Sequence, residues 1–184
     1  MTPLFHVVLH EPLIPNNTGN IGRTCVATGC ALHLIRPLGF DTDEKACRRA
    51  GLDYWPRLDV REHADFESYW LDQRPERVWA FSTAGVRPVF DADLRPGDHL
   101  LFGKETHGLP DDLRRRFADT LLTLPMVPGE RSLNLSVAVG VAVYEGLRRA
   151  LSRGEARLSA RGRVLSGGAA ADGPACPPAR YTPA

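Results

Sequence analysis

Three stretches of this chain carry residue types that could do chemistry. The first is Asn17-Thr18-Gly19-Asn20-Ile21-Gly22-Arg23, a polar loop that follows an apolar run and opens a helical pattern. Backbone amides at such a place can hold an anion or a phosphate. The two asparagines add amide donors and Arg23 adds a fixed positive fork. The stretch is neither GxGxxG nor a phosphate-binding P-loop, since no Gly-Lys-Ser/Thr follows it. The second is Phe102-Gly103-Lys104-Glu105-Thr106-His107-Gly108-Leu109-Pro110. Here a strand pattern ends on Gly103, where a ligand can approach the main chain closely. Glu105 then falls just beyond a strand's carboxyl end, and His107, with no partner in view, reads as a surface or hydrogen-bonding histidine. The third runs from Leu124-Pro125-Met126 to Ser132-Leu133-Asn134-Leu135-Ser136. Two prolines and a glycine stiffen its entry, and Ser132 or Asn134 can cap the helix that follows. Each stretch alone reads equally well as a cap or a wide turn. Two asparagine-bearing helix starts and one glycine-ended strand in the same chain point to a shared ligand.

The elements that would position these stretches alternate in type. Residues 4–9, 32–35, 78–82, 99–102 and 121–124 read as strands, and residues 21–28, 43–50, 66–71, 111–117 and 134–151 as helices. Such alternation implies an α/β domain with a mostly parallel sheet flanked by helices, whose ligands sit at the carboxyl ends of the strands. Residues 137–143 read as core, and Trp55, Trp70 and Trp79 as space-filling aromatics. Tyr144 lies on the long helix, where its hydroxyl could meet a partner subunit or a substrate. Arg48-Arg49 and Arg114-Arg115-Arg116 are short basic clusters of the kind that usually form solvated faces.

A chain of 184 residues suits one compact domain, read as residues 1–153, followed by a flexible Gly/Ala/Pro-rich tail over 154–184. The domain is long enough to bury a core without a disulfide or metal staple. No apolar run approaches the roughly 20 residues needed to cross a bilayer, and the start lacks a secretory pattern. The four cysteines form no CxxC pair, so neither a zinc cluster nor any other metal site is expected, and a reduced, cytoplasmic setting is. Up to Ser152 there are 18 basic against 20 acidic residues, and from Arg153 onward 5 against 2. A nucleic-acid partner would therefore have to be held by a local basic patch.

In order and spacing the three stretches resemble the SpoU branch of the SPOUT superfamily of RNA methyltransferases. The similarity includes Arg48-Arg49-Ala50-Gly51-Leu52-Asp53-Tyr54, continues to about Arg149 and leaves out the tail. Within the branch it is strongest to the short TrmL-type tRNA (cytidine/uridine-2′-O-)-methyltransferases. The resemblance implies an S-adenosylmethionine enzyme with a deep trefoil knot near the carboxyl end. It implies a homodimer whose substrate site is shared between subunits. It places cofactor contacts on Phe81, Gly103, Leu124 and Ser132, with Leu133 adjacent. The family's catalytic arginine, asparagine and tyrosine fall on Arg23, Asn134 and Tyr144. Contacts to RNA are expected from Asn17, Arg23, Arg48, Arg49, Glu105 and Arg131, with Glu105 also able to orient Arg23 or the knot loop. The implied substrate is a tRNA anticodon loop with C or U at the wobble position, and no membrane or metal is involved. Another tRNA or rRNA ribose, or a non-catalytic RNA-binding relative, stays open as an alternative. One departure is His107, where many relatives carry arginine or lysine.

Overall fold

The computed structural model describes residues 2–42 and 52–165. The helix expected over 43–50 lies outside the described residues, as do Arg48 and Arg49. Seven strands form one sheet: β1 His6–His10, β2 Ala31–Ile35, β3 Val60–His63, β4 Val78–Phe81, β5 Arg87–Pro88, β6 His99–Phe102 and β7 Leu121–Thr123. Their spatial order is β3-β2-β1-β6-β4-β7-β5, and every pairing is parallel. Among the described residues four α-helices flank the sheet: α1 Pro15–Thr28, α2 Phe66–Gln73, α3 Asp111–Arg116 and α4 Leu135–Ser152.

Alternation along each strand divides the core into two layers. Val7 and Leu9 of β1 pack with Leu32, Leu34, Leu100 and Phe102 against Ile21 of α1 and Val139 and Val143 of α4. Val8 of β1 points the other way and packs with Ile35, Ala80 and Leu101 against Phe66 and Tyr69 of α2 and Leu113 of α3. Trp79 is buried and its Nε1 donates to Asp98 at 2.8 Å, while Trp55 and Trp70 pack at the margins of the two layers. Cys25 and Cys30 are buried free thiols.

Several expectations need correction. The helix expected over 21–28 begins at Pro15, so the first polar stretch is helical rather than a loop. Proline is pre-set for the first helical position, and the amides of Asn17 and Thr18 already bond back to the Ile14 carbonyl. Those amides are not open to an anion. Two strands of the seven-stranded sheet, β3 and β5, lie outside the expected strand ranges, and both are its edges. An edge strand needs little apolar patterning: β3 exposes Arg61 and Glu62, and β5 is two residues long. Residues 137–143 are only half core. Val139 and Val143 are fully buried, but Val137 and Val141 lie on the opposite side of the same helix and are exposed. After α4 the chain does not lose structure at once: Arg157–Leu158 and Val164–Leu165 pair as a small antiparallel hairpin, β8 and β9.

Candidate active site

β4, β6 and β7 stop at the same end of the sheet, and the loops beyond them enclose a cleft of about 300 Å³. That volume suits a small ligand. The stacked rings of Phe81 and Phe102, 4.5 Å apart, close its floor. Leu124, Leu133, Leu135 and Ala138 give it an apolar wall, and Ser82, Thr83, Thr123 and Ser132 supply hydroxyls. Lys104, Glu105, His107, Arg114 and Arg131 also line it. The loop after β6 folds back on itself, with the Gly108 amide donating to the Lys104 carbonyl at 2.8 Å. A Cβ on Gly103 would come within 2.0 Å of the Gly108 main chain. Glycine is needed at 103 because the chain's own backbone crosses there.

Beside the cleft a hydrogen-bonded relay joins all three stretches. Glu105 accepts from the amides of Leu13 at 2.9 Å and Ile14 at 3.2 Å, and from the Asn17 side-chain amide at 3.0 Å. Helix α1 has no side-chain cap of its own, so Glu105 serves as its acidic cap from across the sheet. Asn134 then donates to the Asn17 side-chain carbonyl at 2.9 Å. The other end of Asn134 caps α4, accepting from Ser136 and Val137. Partial burial opposes ionisation of Glu105, but the donors from Asn17, Leu13 and Ile14 overcome it and hold its carboxyl below the usual range.

The SpoU rRNA methylase family model matches residues 4–144. The chain belongs to the SpoU methylase family. It is 49% identical over 147 residues to the tRNA (cytidine(34)-2′-O)-methyltransferase of Saccharophagus degradans, covering 79% of this chain and 96% of that relative. A solved structure described as giving structural insights into 2-OH methylation of C/U34 on tRNA is 47% identical, with a TM-score of 0.76. The match covers 83% of this chain and 100% of that one. The SpoU methyltransferase AviRb of Streptomyces viridochromogenes, solved with its cofactor AdoMet, is 26% identical with a TM-score of 0.70. Coverage there is 83% of this chain and 63% of that one.

As a SpoU methylase, the chain brings together some of the residues expected to act and keeps others apart. Phe81, Gly103, Leu124, Ser132 and Leu133 all line the one cleft. Its donor set fits S-adenosylmethionine: aromatic and aliphatic faces for an adenine, and hydroxyls and loop main chain for a ribose and an amino-acid tail. Arg131 stands exposed at its edge with no ion pair among the described residues. Asn17 departs from expectation. It is 5% exposed and both ends of its amide are engaged, so it is a strut rather than an RNA contact. Glu105 is likewise engaged within the chain and orients the start of α1, not Arg23. Arg23 does not line this cleft. It projects from α1 into solvent, 3.8 Å from Asp53 and over the Tyr54 ring. Tyr144 is also outside the cleft, 55% exposed on α4. Of the arginine run, Arg116 is covered by Trp70 and paired with Glu67, so it offers no free charge. His107, read as a surface residue, is exposed and bonded to Thr106, yet it lines the cleft.

Proposed function

We propose that this chain methylates the ribose 2′-hydroxyl of the wobble nucleotide, C or U at position 34, in the anticodon loop of tRNA. The observation that carries the reading is the convergence of three distant stretches on one cleft and one relay, in a chain nearly half identical to a relative named for that reaction. S-adenosylmethionine, held by Phe81, Gly103, Leu124, Ser132 and Leu133, supplies an electrophilic methyl group when bound. The chain's own task is to aim a sugar hydroxyl at it and stabilise the oxygen as its proton leaves. Arg23 serves the second purpose. A guanidinium does not give up its proton in a protein, so it is no general base. It stabilises the developing alkoxide, and water or a neighbouring phosphate takes the proton. Asn134, fixed by Asn17 and by its own helix cap, positions the ribose.

Arg23 and Tyr144 stand off the cleft of their own chain, which supports a homodimer in which each subunit completes the other's site. Val137, Val141 and Tyr144 form an exposed stripe on α4, with Leu133, Leu13 and Ile14 exposed nearby. A second copy of the chain would bury that stripe. In such a pair Arg23 and Arg131 would contribute to the basic surface that the near-neutral body otherwise lacks. Two further features complete the reading. One is a trefoil knot, supported by the close crossing of Gly85 against the Leu122 main chain. The other is a cytoplasmic setting, supported by the substrate and the free thiols.

The test is incubation with labelled S-adenosylmethionine and total tRNA, followed by nucleoside mapping. The expected product is 2′-O-methylcytidine or 2′-O-methyluridine at position 34. Label at any other position, or none, would overturn the reading.

A further inference from the structure

The hairpin that follows α4 has a charge and an attachment that the methyl-transfer site does not use. Arg157 lies in β8, Arg161 at the turn and Arg163 just before β9, and all three are exposed. None has an ion pair among the described residues. Register places Arg157 opposite Leu165, so Arg157 and Arg163 project from the same face. The turn is tight: the Ser159 amide donates to the Arg163 carbonyl at 2.8 Å, and Gly162 supplies a φ of 70°. The hairpin is also tied to the domain. Arg153 pairs with Asp93 at 3.1 Å and Glu155 at 2.9 Å and donates to the Leu94 carbonyl, while Arg95 reaches Glu155 at 3.6 Å. The amides of Glu155 and Ala156 both return to the Ala150 carbonyl. The carboxylates at its base, Asp93 and Glu155, are thus already engaged by Arg95 and Arg153, and the three outer arginines remain uncompensated.

We propose that this hairpin is a second RNA contact, gripping phosphates of the tRNA away from the nucleotide that is methylated. The proposal rests on the tRNA reading above. The body carries 18 basic against 20 acidic residues up to Ser152, so a polyanion must be held where charge is concentrated, and the hairpin concentrates it. Its position sets it away from the cleft of its own chain. Helix α4 starts beside the cleft at Asn134 and runs 18 residues before the hairpin, about 27 Å of axis. The hairpin lies beyond residue 144, where the match to the family model ends.

The experiment compares the full-length wild type with R157E/R161E/R163E and with R157K/R161K/R163K, measuring tRNA affinity from about 50 to about 200 mM salt. The glutamate variant should bind tRNA about tenfold or more weakly, and its log–log salt slope should flatten by about 2 to 3. The loss in turnover should fall on KM for tRNA, with S-adenosylmethionine affinity and Tm held. The lysine variant should keep wild-type affinity, since phosphate contacts need charge more than shape. A glutamate variant with unchanged affinity and slope would mean a solvated face only and overturn the proposal. A wild type that modifies no tRNA would defeat the underlying reading instead, so the two failures are distinguishable.

Discussion

The carboxylate of Glu105 closes the start of α1 from 91 and 92 residues away, and Asn17 links it to the asparagine that caps α4. A buried amide with both ends engaged is costly to truncate, because its partners lose a bond and cannot reach water. Asn17→Ala should therefore cost about 1–3 kcal/mol, and Glu105→Gln a similar amount, read from urea unfolding. The double variant should show a coupling of about 0.5–3 kcal/mol, whereas strict additivity would mean that the relay is not a unit. The charge adds a pH signature. The folded-state pKa of Glu105 is lowered, so its contribution is complete above about pH 4.5, the ordinary glutamate value. It is lost as pH falls through the folded value, and Glu105→Gln should remove that acid-side step. Arg23 presents the opposite case, an exposed side chain with one long ion pair and one face on the Tyr54 ring. Arg23→Ala should leave S-adenosylmethionine affinity and Tm unchanged while turnover falls by about 100-fold or more. Equal turnover on tRNA would remove Arg23 from the chemistry.

At the level of elements, what was legible in the sequence follows from what is local. The apolar runs of β1, β2, β4 and β6 are central, buried on both sides, and stand out for that reason, while β7, half-buried, stands out by its leucines. The edges β3 and β5 do not, since half their surface faces water. The start of α1 has no local signature because its cap is not beside it: residues 11–20 hold no Ser or Asp, and the carboxylate that replaces one, Glu105, lies in another loop. The five expected cofactor residues share one cleft, and Gly103 has a further reason to be glycine that no local pattern shows, the close approach of Gly108. That gives a sharp test. Gly103→Ala would place a methyl inside the Gly108 main chain, and the loop would have to open. Overpacking of this kind costs about 1–3 kcal/mol. Because the loop lines the cleft, calorimetry should show S-adenosylmethionine affinity falling at least as severely as stability. Intact affinity would mean that the loop does not shape the site.

Across the whole molecule the two layers of the core differ in chemistry. The layer under α1 and α4 is almost wholly apolar, while the layer under α2 holds five histidines, His10 against Phe66 and four others in one chain of rings. His6 Nδ1 lies 2.9 Å from His33 Nε2, and His33 Nδ1 lies 3.1 Å from His63 Nε2. His6 stacks on His99 at 4.1 Å, and His99 Nδ1 is 2.5 Å from the Tyr69 hydroxyl. The chain of rings spans β3, β2, β1 and β6, which is why no local pattern revealed it. A neutral imidazole has one donor and one acceptor, so a neutral His33 donates to one of these neighbours and accepts from the other. Burial, with the neighbouring histidines adding to it, pushes His33 down to about 2. Burial and then His6 push His99 down to about 3. His6 and His63 are lowered too, chiefly by burial, with Arg61 acting in the same direction and Asp59 and Asp72 only partly opposing it. In the unfolded chain all four take up protons near 6.5. The unfolded state therefore binds more protons below that pH, and stability must fall as pH falls. The window opens near 6.5 and closes only at about 3 for His99 and about 2 for His33. Each histidine contributes up to about 1.4 kcal/mol per pH unit inside its window. Urea midpoints measured from pH 8 downward should hold steady to about 6.5 and then drop steeply, with proton uptake on unfolding rising well above one. A flat profile between 6.5 and 5 would mean that the four rings are protonated in the folded protein, and that the layer beneath α2 is held together by something other than neutral imidazoles.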